Sequence, residues 1–212
     1  NMSQTGIRVG LVCLESDGAY EMKRLLAGMV NIDLHRLLHP ENFSCEELER
    51  ITTASETAAA LPLWIHDIPM ASPRDIRDAA IDLKSSHMID VLFIDGGIGT
   101  LHSPIKEPDE IDSYMLGLEM LAQKLSIPIV LTCHLSRSLE KREELRPNIS
   151  DVQNAEHVLP YIETAFLLHN ENYYRGDTTP DNMMEVSVWK RHEKHSHNGL
   201  TECGFMRLKL CQ

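Results

Sequence analysis

Two apolar runs of this sequence end in a carboxylate, and each ending is a place where chemistry could be done. The run VGLVCL reaches Glu15-Ser16, and the run VLFI reaches Asp95 before Gly96-Gly97. An aspartate directly after four apolar residues is the Walker B pattern, in which the carboxylate orders the magnesium of a bound nucleotide. The same pattern arises where an aspartate merely ends a strand, because its short side chain favours turns. A second grouping, His192, His195 and His197 with Glu193, contains metal-ligand types, but it lies in a polar stretch without thiolates and reads as solvent-exposed. The mixed charges at 140–144 read as a solvated face. No G-x-x-x-x-G-K-[ST] loop, which would cradle nucleotide phosphates, occurs among the 212 residues.

The elements that must position these carboxylates follow from the pattern of apolar residues. Short β-rich runs alternate with helical stretches, the signature of a parallel sheet covered by helices. Strands are expected at Ile7–Leu14, Leu63–His66, Val91–Ile94 and Ile127–Cys133. In open α/β sheets the carboxyl edge, where Glu15 and Asp95 fall, is the edge that binds ligands. Helices are expected from about Ala19 to Met29, at Asp33–Leu38, from the Ser44 cap towards Ala60, after the Ser72 cap with Pro73 in the first turn, and from Glu110 to Leu125. A charged, mobile stretch (Arg137–Pro147) leads to a helix start at Ser150-Asp151. Strands at Thr164–Leu168, Met184–Trp189 and Phe205–Leu210 complete the chain, which reads as one domain over 1–212.

Composition narrows the function classes. The formal net charge of −12 excludes a dedicated, strongly basic nucleic-acid binder, though not a local basic groove. The five cysteines are scattered without a CxxC pair, so neither a zinc knuckle nor a disulfide framework is indicated, and a reducing cytoplasm is the expected location. No apolar run reaches the roughly 18–20 residues of a membrane span.

The ordered set of segments resembles the motor domain of the DnaB-type replicative helicases. VGLVCLES, RLLAG and IDLHRLL are similar to that family's second motor strand and the helices after it. LPLWIHDIP and SPRDIRDAAIDLKSSHMIDVLFIDGGIGTL resemble its route to the Walker B strand. IPIVLTCHLSRSLEKREELRPNISDV resembles the strand that ends in Gln-Leu-Ser-Arg and the Arg-Pro and Ser-Asp-Leu that follow. AFLLHNENYY and EVSVWKRH resemble the late strands that lead to the trans-acting lysine and arginine.

The resemblance implies a RecA-like fold, mainly parallel with late antiparallel strands, and ATP-dependent DNA unwinding with Mg²⁺ and ATP as the family's cofactors. It places Glu15 where the attacking water is polarised, Asp95 where the metal is held, and His134 where a glutamine senses the γ-phosphate. Lys190 matches the lysine that reaches a neighbouring subunit. The arginine finger is replaced by His192, with Arg191 adjacent. Lys106, Arg146, Ser150 and Gln153 fall in the segments that face single-stranded DNA, with Gln153 and Glu156 replacing an arginine and a glycine. A lost cation and a gained anion weaken phosphate contact.

In the family the phosphate loop and its strand precede VGLVCLES, where this chain begins. ATP hydrolysis by the chain alone is therefore not expected, and ATP and Mg²⁺ need not be bound. The expected partners are a homo-oligomer or other helicase and replication proteins, with single-stranded DNA held weakly or not at all. The alternative is a non-catalytic paralogue, a pseudo-ATPase acting as an interaction module. Loss of a central strand would leave its neighbours with open backbone groups. Two remedies are expected: the Ile7–Leu14 strand moves into the gap, or a second chain supplies a strand or face.

Overall fold

The computed structural model describes residues 2–39, 41, 43–96, 107–171, 183–191 and 200–209. They fall into two compact units, the first within 1–105 and 120–132 and the second within 106–119 and 133–211.

In the first unit, β1 (Val9–Cys13), β2 (Leu63–Asp67), β3 (Val91–Asp95) and β4 (Ile129–Leu131) form a parallel sheet in the order β2-β1-β3-β4. The register sets Cys13 beside both Asp67 and Asp95, so three strand ends lie level at the carboxyl edge. β1 is paired on both sides, with β2 and with β3. Among the described residues β4 pairs only with β3, through Leu92–Ile94, and it is shorter than expected.

Helices α1 (Gly18–Val30), α2 (Leu34–Leu38), α3 (Cys45–Ala59) and α4 (Pro73–His87) follow the boundaries the capping signals imply. Ser44 with Glu47 and Ser72 with Asp75 each close a reciprocal capping box, which satisfies amides that the first helical turn leaves open. Side chains alternate across a strand, so Gly10, Val12 and their partners Leu92 and Ile94 share one face. There they meet α4 through Leu83, and Ile76, Ala80, Leu92, Ile94 and Val12 are essentially removed from solvent. Leu11, Ile65 and Phe93 line the opposite face, which is only partly covered.

The second unit contains an antiparallel sheet of β5 (Thr164–His169), β6 (Met183–Lys190) and β7 (Thr201–Lys209), in that order. Two ion pairs and one buried leucine tie down the 137–147 stretch. Arg142 bonds Asp151 at 2.7 Å and Arg146 bonds Glu185 at 2.5 Å, and a 3-10 turn (Arg137–Lys141) buries Leu139. The helix expected at Ser150 is a 3-10 turn (Ile149–Asp151) followed by the one-turn α6 (Ala155–Val158).

Helix α5 (Pro108–Leu125) begins in this unit and carries Tyr114, only 5% exposed, whose hydroxyl finds no hydrogen-bond partner among the described residues. Burial pushes its phenol above the ordinary range, so the group stays neutral and its desolvation is uncompensated. Tyr114→Phe is therefore expected to leave stability unchanged or raise it by about 1 kcal/mol. Urea denaturation measures this, and a clear loss of stability would show that the hydroxyl has a partner.

Candidate active site

The carboxyl edge of the parallel sheet gathers the candidate chemistry of the first unit. Asp95 ends β3, and its Oδ1 accepts a hydrogen bond from the Thr132 hydroxyl at 3.1 Å. The Gly96 amide donates to that same hydroxyl oxygen at 2.9 Å, so Thr132 fixes both the carboxylate and the turn behind it. The Asp95 carbonyl accepts from the Leu14 amide at 2.9 Å, which carries the β1–β3 pairing one step past the strand ends. Glu15, the next residue, is exposed to solvent. Leu11, Leu25, Ile65 and Phe93 form the walls of a cavity of about 420 Å³, with Glu21, Arg24, Asp95 and Thr132 among its polar lining.

The field at this edge is negative. The buried Cys13 thiol is pushed up to about 12, first by burial and then by the carboxylates of Glu21, Asp95, Asp67 and Asp17. Such an edge favours a cation. Among the described residues no three His, Cys, Asp or Glu side chains converge as a metal cage. Asp95 with the adjacent Thr132 oxygen suits Mg²⁺, which is commonly held through one or two carboxylates plus water and phosphate oxygens.

In the second unit, the His134 carbonyl accepts from the Gln153 amide at 3.0 Å, and Leu135 bridges Val152, so two separated sequence candidates lie side by side. Ser150 and Gln153 are exposed. Arg146 is engaged by Glu185, and its guanidinium stands 5.2 Å from the Phe205 ring centre. Lys190 is exposed at the end of β6. Arg191 turns back into its own unit and donates to the carbonyls of Leu159, at 2.6 Å, and Ile162, at 3.3 Å. Lys106, His192, His195, His197 and Glu193 lie outside the described residues.

Sequence reasoning missed Thr132, Asp67 and Glu21. Asp67 carried a signal: LWIHD also ends a strand in a carboxylate, as VLFID does. Thr132 and Glu21 carried none, since their partners are set by strand register and by the angle at which α1 leaves the sheet.

The family model for the DnaB-like helicase C terminal domain matches residues 1–206. The chain belongs to this family. It is 24% identical over 210 residues to the replicative DNA helicase DnaB of Geobacillus stearothermophilus, covering 97% of the chain and 45% of that protein. It is 29% identical over 171 residues to the replicative DNA helicase DnaB of Rickettsia typhi (strain ATCC VR-144 / Wilmington), covering 78% of the chain and 34% of the relative. The chain thus spans less than half the length of these relatives.

Among solved structures, an ATPase domain superposes with a TM-score of 0.83 at 20% identity, over 98% of this chain and 72% of the other. A DnaB-like replicative helicase, solved in a study of its interactions with primase, gives 0.81 at 19%, over 97% of this chain and 49% of the other. At these identities the likeness establishes the fold, which is the RecA-like arrangement of these domains. No helix among the described residues is long and apolar enough to cross a membrane.

Proposed function

We propose that this chain is the part of a DnaB-like replicative-helicase motor that carries the metal-holding and water-activating carboxylates. The observation that supports this most is the placement of Asp95 and Glu15 at one sheet edge. The Leu14 amide, bonded to the Asp95 carbonyl, locks the two strand ends together at the residue before Glu15. In this reading Asp95, steadied by Thr132, holds Mg²⁺, which neutralises phosphate charge, and Glu15 polarises the attacking water. His134 senses the γ-phosphate, and Lys190 reaches into a neighbouring subunit of a homo-oligomer, with His192 as the accompanying finger, or Arg191 once it leaves the Leu159 and Ile162 carbonyls. Lys106, Arg146, Ser150 and Gln153 face single-stranded DNA, bound weakly here because Glu185 occupies Arg146.

With no G-x-x-x-x-G-K-[ST] among the 212 residues, the chain alone does not hydrolyse ATP. A strand supplied at the edge of β4 that has no partner among the described residues, by a longer polypeptide or a second chain, would complete one motor domain. Other helicase or replication proteins, and a cytoplasmic location, fit the same reading.

Calorimetric titration with Mg²⁺ and a non-hydrolysable ATP analogue tests it. Mg²⁺ is expected to bind the wild-type chain, and Asp95→Asn is expected to weaken that binding about tenfold, the cost of about 1.4 kcal/mol when one anionic ligand is lost. Equal Mg²⁺ binding by both chains would sink the reading. A second reading, a non-catalytic paralogue serving as an interaction module, is favoured by His134, Gln153 and Glu156 standing where the family has other residues. It requires that neither Mg²⁺ nor the analogue binds.

A further inference from the structure

Glu15 is exposed, yet the turn that carries it is held on both sides. Upstream, the Leu14 amide is bonded to the Asp95 carbonyl at 2.9 Å. Downstream, the Gly18 amide donates to Asp67 Oδ2 at 3.0 Å. Between them, the Ser16 hydroxyl donates to Glu21 Oε1 at 2.6 Å, and Arg24 holds both oxygens of Glu21 at 3.1 Å. Asp67 is the last residue of β2, and β2 is fixed to β1 by its register and by the Ile68 amide bonded to the Cys13 carbonyl at 3.2 Å. The α1 start also lies close to β2. A Cβ on Gly18 would come within 3.1 Å of Ile65 Cγ2, so a larger residue would have to push Ile65 aside slightly.

The geometry points to Asp67 as a positioning residue for Glu15. By bonding the Gly18 amide, Asp67 fixes the 15–18 turn and so sets where the Glu15 carboxylate stands relative to Asp95, with Glu21 as a second tether through Ser16. This inference rests on the reading of Glu15 and Asp95 given above. A carboxylate one residue from a backbone anchor sweeps a wide volume if the other end of its turn is loose, and a water-activating group misplaced by about 1 Å loses much of its effect. Asp67 does not touch the reacting atoms. It acts through the backbone, and a carboxamide oxygen can accept the same hydrogen bond, more weakly because it carries no charge.

The test uses the full isotope-labelled chain as wild type, Asp67→Ala and Asp67→Asn, with amide hydrogen exchange as one readout. The other readout is paramagnetic relaxation of Glu15 side-chain protons by Mn²⁺ bound at Asp95. In Asp67→Ala the Gly18 amide is expected to exchange about tenfold faster while the β1 amides keep their protection, the consequence of losing one charge-assisted hydrogen bond. The Glu15 relaxation is expected to weaken in the same variant, and Asp67→Asn is expected to restore both in part. Unchanged Gly18 exchange in Asp67→Ala, or failure of Asp67→Asn to restore any of it, overturns the inference. If Mn²⁺ does not bind even the wild-type chain, the metal role of Asp95 falls, and the Gly18 exchange still decides the role of Asp67.

Discussion

A Gly10→Val chain is expected to unfold about 3 kcal/mol more easily than the wild type, a large overpacking effect for a substitution that strand propensity alone would favour. The backbone of Gly10 is ordinary, so the penalty is one of space. A Cβ there would stand 2.8 Å from Ile89 Cδ1 and 3.3 Å from Leu83 Cδ1 and Leu92 Cδ1. Ile89 and Leu92 are fully buried and Leu83 nearly so, so none can swing into solvent to make room. Relief requires Ile89, Leu83 and Leu92 to repack within the closed layer between β1 and its neighbours, which strains their rotamers or shifts the backbone. Because β1 carries Glu15 past its end, such a backbone shift disturbs the candidate site. Urea denaturation followed by circular dichroism measures the loss, and a midpoint within about 0.5 kcal/mol of wild type, the scatter of ordinary surface changes, would refute the packing argument.

The second large effect belongs to Glu185. Its carboxylate, in the middle of β6, accepts from Arg146 at 2.5 Å and from the Arg207 Nε at 2.9 Å, and the Phe205 ring lies near both guanidiniums. One side chain thus ties together β6, β7 and the segment leading to Ser150. Glu185→Ala is expected to cost about 2 kcal/mol, the usual worth of hydrogen bonds to a charged group. Protease cleavage is expected to appear first between 142 and 151. An unchanged cleavage pattern would show that this segment is held by other contacts.

Acid should reproduce part of this effect. Burial pushes the Glu185 carboxyl up, but the bonds from Arg146 and Arg207 outweigh burial and leave it below its ordinary value. A depressed folded-state value means that the unfolded chain binds the proton more readily. The contribution is therefore complete above the ordinary carboxylate range and is lost as pH falls through it. Glu47 behaves with the same sign, held down to about 2 by Arg36 first and then by the Ser44 amide, and Asp90 is lowered by Arg8. Stability should be flat near neutrality and decline below about pH 4.5, with a shallower decline in Glu185→Gln. Equal slopes for the two chains would remove Glu185 from the explanation.

Much of the architecture was legible in the residues. Alternating apolar strands and capped helices announced the parallel sheet, because a strand buried on both faces reads as a continuous apolar run and Ser-x-x-Glu or Ser-x-x-Asp marks a helix start. The strand-ending carboxylates Glu15 and Asp95 were legible for the same reason: each follows an apolar run directly. The contacts of the charged 137–147 stretch were not legible, because they are ion pairs to Asp151 and Glu185, and local sequence does not reveal a partner 39 residues away.

The sequence by itself determined which family this chain belongs to, which strands it forms and which two carboxylates end them, since period, capping and motif are properties of neighbouring residues. Only the tertiary structure decided that β1 lies between β2 and β3, that Thr132 steadies Asp95, that Asp67 holds the turn of Glu15, and that Arg146 and Arg191 are engaged within their own unit. Each of those facts is a contact between residues distant in the chain. Such contacts depend on strand register and helix angle, which are fixed by the packing of the whole unit and not by any local pattern.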